Sequence, residues 1–315
     1  MGENEQQFVI SKSFVQNIRS WVALSRPPFH TVGILPFILG TILAWRLEAR
    51  FNALIFSLGV SAVVLIMLST YHAGEHFDER EDRLSKSRYH SRFSGGSGII
   101  PAGLSSAAVP LWTSIVCLLL AGIIGVILQF ALNTGPYTLL LGSIGGLSGF
   151  FYSSKPFRFV ERGVGELLIG FCYGWLPVAS AYYIQTETVA SVIHWISVPI
   201  ALTIFNVIFL NEFPDYPSDL ETGKRNTLIR IGINKGVKVF ILVSCLAWLF
   251  FFLAIQAGVP SRGVYVYCPI LILSVTLVIM ALMRKHEKFK TLEIMCGANI
   301  LVNLGTTAAF IFAYL

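Results

Sequence analysis

A chain of 315 residues with 55% hydrophobic and 13% charged residues carries more apolar surface than one water-exposed domain buries, which excludes an ordinary soluble protein. The net charge of +6 invites a nucleic-acid partner, but the basic residues alternate from loop to loop as membrane-orientation signals do, which excludes that partner. The five cysteines (Cys117, Cys172, Cys245, Cys268, Cys296) have neither paired nor metal-ligand spacing and read as small core residues.

In chain order, residues 1–25 are polar and basic, with no short apolar core before a cleavage site. They read as a cytoplasmic N-terminal segment and not as a signal peptide. Residues 26–315 read as one transmembrane domain. Nine apolar runs follow, near 31–47, 51–73, 107–129, 135–153, 164–183, 189–210, 237–257, 264–283 and 292–314. The expected fold is all-α, a polytopic nine-helix membrane bundle. A span needs roughly 20 apolar residues, so the first run looks the shortest for its task. Within the fourth, Gly142, Gly146 and Gly145, Gly149 form overlapping small-xxx-small pairs that suit close helix packing. Asn299 and Asn303, one turn apart in the ninth, read as interhelical hydrogen-bonding residues.

Of the 23 Lys and Arg residues, all but Arg46, Arg50 and Arg262 fall in the N-terminal segment and in alternate loops. This predicts an integral protein of the cell (inner) membrane with a cytoplasmic N-terminus and an external C-terminus. Two longer loops, 74–106 and 211–236, then lie on the cytoplasmic side. Each opens on an acidic pair, and the two motifs lie far enough apart for a repeat of four spans.

All four aspartates of the chain are in these pairs, Asp78/Asp82 and Asp215/Asp219. On a helix, i and i+4 carboxylates project from one face, so two such pairs can form a cage of hard oxygen ligands suited to Mg²⁺ bridging phosphate. The second motif extends the stripe backward to Asn211 and is followed by Glu221, Lys224 and Arg225. The first opens with Glu75, includes Glu79, and continues into Arg83, Lys86, Arg88, Arg92 and Gly95-Gly96-Ser97-Gly98. Between them lies Tyr152-Ser153-Ser154-Lys155-Pro156-Phe157-Arg158, then Arg162 and Glu166. The expected metal ligands are Glu75, Asp78, Asp82, Asn211, Asp215 and Asp219, with the four aspartates catalytic. Lys155, Arg158, Lys224, Arg225, Arg92 and Tyr152 are the expected substrate contacts, the cations gripping diphosphate. Lys155 and Arg158 could equally be a topology-setting cap, and Glu166 either a functional acid or the ion-pair partner of Arg162. His72, His76 and His90 lack zinc spacing and read as surface or supporting residues.

Four blocks carry a resemblance: Ser25-Arg26-Pro27, the Asp78/Asp82 block with FSGGSGII, YSSKPFRFVERGVGELLIG and NEFPDYPSDLETGKRNTLIRIG. With them the chain resembles the UbiA superfamily of intramembrane prenyltransferases, most nearly the 1,4-dihydroxy-2-naphthoate polyprenyltransferase branch of menaquinone synthesis. Gly74 and Glu75 stand where that family usually has Asn and Asp. The resemblance implies a central cavity and two Asp-rich motifs that bind Mg²⁺ and an isoprenyl diphosphate. It implies transfer of the isoprenyl group to an aromatic or lipid acceptor: dihydroxynaphthoate, or hydroxybenzoate, homogentisate, haem or a glycerol phosphate ether lipid. A transporter or divalent-cation channel is the competing class. Against it, the acids sit at one membrane face beside Lys and Arg, which repel a free cation.

The charge asymmetry has a direct check. A thiol reagent added from outside should label a cysteine placed at position 262 and miss one placed at 224; the reverse pattern would invert the topology.

Overall fold

The computed structural model describes residues 16–88 and 91–315, the side chains of 87 and 88 excepted. Every regular element among them is helical. Residues 16–24 form α1, and a 3₁₀ turn, Pro27–His30, leads into α2 (Thr31–Glu48). The remaining helices are α3 (Ala53–Phe77), α4 (Glu79–Arg88), α5 (Ala108–Val126), α6 (Thr138–Ser153), α7 (Gly165–Thr186), α8 (Ser191–Thr222), α9 (Thr227–Ile231), α10 (Ile233–Gln256), α11 (Gly263–Leu282) and α12 (Phe289–Tyr314).

Eight helices among the described residues are long and apolar enough to cross a membrane, and α6 is apolar but shorter, at 16 residues. The short span is therefore the fourth apolar run and not the first. A turn through Asn133, Thr134, Gly135 and Pro136 delays the start of α6, and Ser154, extended ahead of Lys155-Pro156, ends it. The first run, by contrast, is lengthened by α1, so that residues 16–48 make one 33-residue apolar stretch.

The acidic motifs are not on loops, as the sequence suggested, but on helix. At 32 residues α8 is about 48 Å long, against a hydrocarbon core of about 30 Å. Its last turns carry Asn211, Asp215 and Asp219 past the apolar stretch. Pro214 removes one intrahelical bond there, and the Leu210 carbonyl four residues back accepts a weak bond from Cys296 Sγ at 3.6 Å. Likewise α3 runs unbroken to Phe77, and Asp78 caps it before α4 begins.

The bundle packs α3 against α5 and α6, α2 against α7 and α12, and α8 against α7, α10 and α12. One core joins Leu39, Leu43, Tyr182, Ile196, Phe251 and Phe310; a second, nearer the acidic motifs, joins Phe209, Phe213, Phe240, Leu277 and Met295. Asn303 on α12 donates to Thr203 Oγ1 (3.0 Å) and to the Ile200 carbonyl (3.3 Å) on α8, the interhelical role expected of it.

Small residues let α2 and α7 touch. A Cβ at Gly40 would stand 2.2 Å from the Val178 carbonyl oxygen, a backbone atom that cannot rotate away. Gly40→Ala should therefore destabilise the protein by about 1–3 kcal/mol, read as a lower Tm in detergent. An unchanged Tm would mean the two helices separate freely.

Candidate active site

Both acidic motifs converge at one end of the bundle, with the 91–98 segment laid across them. Asp78, at the junction of α3 and α4, accepts from Ser153 Oγ at the end of α6 (2.6 Å) and from Arg158 Nη2 (3.1 Å). Asp215 on α8 accepts from Ser85 Oγ of α4 (2.6 Å) and from the Gly95 backbone N–H (3.0 Å). The first motif thus holds the second directly. Gly95 and Gly96 both have φ of 68°, a left-handed conformation that favours glycine, and a Cβ on Gly96 would meet Asp82 Oδ2 at 2.1 Å. The glycine stretch therefore lies backbone-first against the carboxylates.

Lys224, two residues beyond α8, is the central cation. Its Nζ lies 3.7 Å from Asp219 Oδ1. Burial by itself lowers a lysine pKa, but Asp219, Asp78, Asp215 and Asp82 surround this one and hold it well above the ordinary value. Asp82 shows the opposite balance: burial first, then the charges of Asp78 and Glu75, push its carboxyl well above the usual aspartate range. Burial also raises Asp78, against the pull of Lys224, Ser153 and Arg158.

Two arginines brace the rim, and both have left-handed backbone, Arg26 at φ 47° and Arg158 at φ 46°. Such strain in a non-glycine residue persists only where its surroundings enforce it. Arg158 pairs with Asp78, with Glu81 at 2.8 Å and with Glu161 at 2.9 Å. Arg26 donates to Glu75 Oε1 through Nε (3.1 Å) and Nη2 (2.9 Å).

The expected site residues divide accordingly. Asp78, Asp82, Asp215, Asp219, Lys224 and Arg158 come together. Asn211 is buried just behind them, and its Oδ1 has no hydrogen-bond partner. Glu75 is close, but both its oxygens are taken: Arg26 and the Ser97 N–H share Oε1, and Ser97 Oγ donates to Oε2 at 2.8 Å. Tyr152 is half-buried on the last turn of α6, its ring 3.1 Å from where a Cβ at Gly165 would stand. Lys155, Arg225 and Arg92 are exposed, and none pairs with an aspartate among the described residues. Glu166 does not pair with Arg162. Its carboxylate accepts from the Thr227 N–H (3.0 Å) and hydroxyl (2.7 Å), which ties α7 to the segment carrying Lys224 and Asn226, and Asn226 in turn donates to Asp219.

Of the histidines, His72 is fully buried on Ser25 Oγ, His76 contacts the Ala107 carbonyl, and His90 lies outside the described residues. Sequence reasoning missed Ser85, Ser97, Ser153 and Asn226 as partners of the acids. Serines and asparagines are common, and no spacing sets these four apart.

Among the described residues no three His, Cys, Asp or Glu side chains already form a metal-binding group. One feature nevertheless fits a divalent cation: the orphaned, buried Asn211 Oδ1 on the stripe that carries Asp215 and Asp219. The donor set is all oxygen, which suits Mg²⁺ better than zinc.

The profile of the UbiA prenyltransferase family matches residues 33–301. The chain is 25% identical over 223 residues to 2-carboxy-1,4-naphthoquinone phytyltransferase of Synechocystis sp., covering 70% of this chain and 69% of that protein. It is 24% identical over 243 residues to 1,4-dihydroxy-2-naphthoate octaprenyltransferase of Bacillus subtilis, covering 77% and 76%. The fold is similar to that of a UbiA homologue from Archaeoglobus fulgidus bound to GPP and Mg²⁺, with a TM-score of 0.62 and 15% identity over 92% of this chain and 99% of that one.

The Arg26–Glu75 pair invites a double-mutant test. Arg26→Ala leaves the buried Glu75 charge uncompensated and should cost about 3 kcal/mol of stability. Adding Glu75→Gln removes that charge while keeping an acceptor for Ser97, and should restore most of the loss. A double variant no more stable than Arg26→Ala would refute the pairing.

Proposed function

Because the chain belongs to the UbiA prenyltransferase family and spans the membrane as a helical bundle, we propose that this prenyltransferase moves an isoprenyl chain from its diphosphate to 1,4-dihydroxy-2-naphthoate. The acceptor is suggested by two relatives whose names carry a naphthoate or naphthoquinone substrate, each matched over about 70% of its length or more. The Lys/Arg asymmetry supports an active site on the cytoplasmic side. The observation that carries the reading is the convergence of both Asp pairs at one end of the bundle, with Asp215 held by Ser85 and Gly95 of the first motif and Asp219 beside Lys224.

Mg²⁺ would be held by Asp78, Asp82, Asp215, Asp219 and Asn211, and when bound it supplies charge compensation for a leaving diphosphate. Glu75 serves instead to fix Arg26 and Ser97. Arg158 offers a planar guanidinium fork at the rim, where it can exchange a carboxylate partner for phosphate oxygens. Lys224 provides a positive charge that needs no proton uptake at neutral pH. The exposed Lys155, Arg225 and Arg92 contribute a positive field that draws the diphosphate to this face.

As the C–O bond weakens, positive charge grows on the allylic carbon. The apolar bundle below the acids excludes water from it, and the ring of Tyr152 offers a π-face nearby. The electron-rich ring carbon of the acceptor then attacks, the C–O bond to diphosphate breaks, and the ring carbon gives up its own substituent, a proton or the carboxylate as CO2, to restore aromaticity.

The test uses membranes expressing the chain, Mg²⁺, a prenyl diphosphate and a panel of aromatic and lipid acceptors, read by mass spectrometry. Prenylated dihydroxynaphthoate should form, and chelation of Mg²⁺ should stop it. Asp215→Ala should abolish turnover in a folded protein. Arg158→Lys keeps the charge but loses the fork, about 1.5–3 kcal/mol or a ten- to hundredfold fall in kcat/KM. Normal turnover in Asp215→Ala would sink the metal assignment. Product on another acceptor alone would sink the naphthoate assignment.

A further inference from the structure

A pocket of about 710 Å³, within the ~300–1,000 Å³ range of ligand sites, opens behind the acid-bearing end of α8. One wall is α8 itself, through Phe213, Pro214, Tyr216 and Pro217, which lie between Asn211 and Asp219 but off their stripe. A second wall is the start of α10, from Gly232 to Lys235. A third is the turn between α11 and α12, with Arg284 and His286. None of these residues belongs to the acidic site.

The polar groups around this pocket are mostly donors without acceptors. Gly232, at φ 78°, turns the chain from α9 into α10, and no side chain caps α10. The Gly236 N–H bonds to the Gly232 carbonyl, which leaves the N–H groups of Ile233, Asn234 and Lys235 without a partner among the described residues. They bring the positive end of a 24-residue helix to the pocket. Lys235 is exposed and pairs with no acid among the described residues. Arg284 pairs with Glu287 at 2.7 Å, but the two side chains are 70% and 53% exposed, and so open a pair is worth little. His286 points the same way independently. It is nine-tenths buried and packs edge-on against Phe213, and its Nδ1 has no hydrogen-bond partner. Burial lowers its pKa against the pull of Glu287, so at neutral pH the ring is an uncharged group that can donate from Nδ1.

Donors gathered with so little acid select an anion with several oxygens, and phosphate fits. The surroundings favour one source for it. The pocket lies where apolar helices end: Leu282 and Met283, at the end of α11, are 64% and 61% exposed. Lys238 follows one turn into α10, and Lys285, Lys288 and Lys290 flank His286. Exposed apolar surface beside a basic cluster is the setting of a membrane headgroup. We propose that this pocket binds the phosphate of an anionic phospholipid, held by the α10 N–H groups, Lys235, Arg284 and His286, with the acyl chains along the exposed end of α11. The same cations help to set topology, but topology requires neither a pocket nor an uncapped helix. A seated headgroup braces residues 213–217 of α8, where Pro214 and Pro217 each remove an intrahelical bond, and so steadies the turns that carry Asp215 and Asp219.

The experiment uses the delipidated full chain in detergent and has two arms. In the first, native mass spectrometry measures Kd for phosphatidylglycerol, phosphatidylcholine and free glycerol 3-phosphate. The wild type should hold phosphatidylglycerol at least tenfold more tightly than either of the others. Equal affinity for phosphatidylcholine overturns the proposal, and equal affinity for glycerol 3-phosphate overturns the lipid as the source. Lys235→Gln/Arg284→Gln should weaken phosphatidylglycerol tenfold or more. Lys238→Gln/Lys290→Gln removes the same charge from exposed residues that do not line the pocket, and should change Kd less than twofold. Equal weakening in the two variants reduces the effect to surface charge and overturns the site. In the second arm, phosphatidylglycerol with a photoreactive headgroup is crosslinked to the wild type and mapped by mass spectrometry. Label within 213–217, 231–235 or 284–292 supports the site; label confined to other segments overturns it. Neither arm depends on prenyl transfer.

Discussion

Mutual repulsion among buried carboxylates is the constraint on which this end of the molecule depends. Asp78, Asp82, Asp215 and Asp219 are drawn together at the edge of an apolar bundle, and Glu75 lies close behind. Burial multiplies the repulsion, because there is little water to screen it. The surrounding architecture answers that strain. Lys224 sits among the four aspartates, Arg158 spans Asp78, Glu81 and Glu161, and Arg26 takes Glu75. Even so, Asp82 keeps no hydrogen bond to its carboxylate from the described residues, and its proton is held far more tightly than in water.

Holding like charges together demands rigid supports, and the helices provide them. Because α8 continues past its apolar stretch, Asp215 and Asp219 ride on a regular backbone, fixed by Ser85, Gly95 and Asn226. Glu166, at the start of α7, anchors the turn that follows α8 through Thr227. The positioning chain thus runs from α7 through Thr227 to Asn226, Asp219 and Lys224, none of them adjacent to Glu166 in sequence. The left-handed backbone at Arg26 and Arg158 is a local cost offset by the ion pairs those residues make.

Below the site the chemistry reverses. The small residues of α6 that read as packing glycines serve two purposes. Gly145, Gly146 and Gly149 face side chains of neighbouring helices at close range, whereas Gly142 faces open space. The same residue type therefore closes the bundle at one level and opens it at the next.

Much of this was legible in the chain. Hydrophobic runs of span length, broken by short polar segments, report a helical membrane protein because lipid leaves the backbone no other way to satisfy its hydrogen bonds. Four aspartates in two identical pairs within so apolar a sequence announced the site. What one dimension does not carry is which partner each charge takes. Glu75 had the spacing of a ligand but is committed to Arg26 and Ser97, and Lys155 and Arg225 had the company of binding residues but remain exposed. Helix periodicity and hydropathy are local properties, written in neighbouring residues and enforced by the solvent. The partnering of charges across 49, 80 or 130 positions of chain is decided only when the helices have packed, because Coulomb and hydrogen-bond energies depend on distance in space.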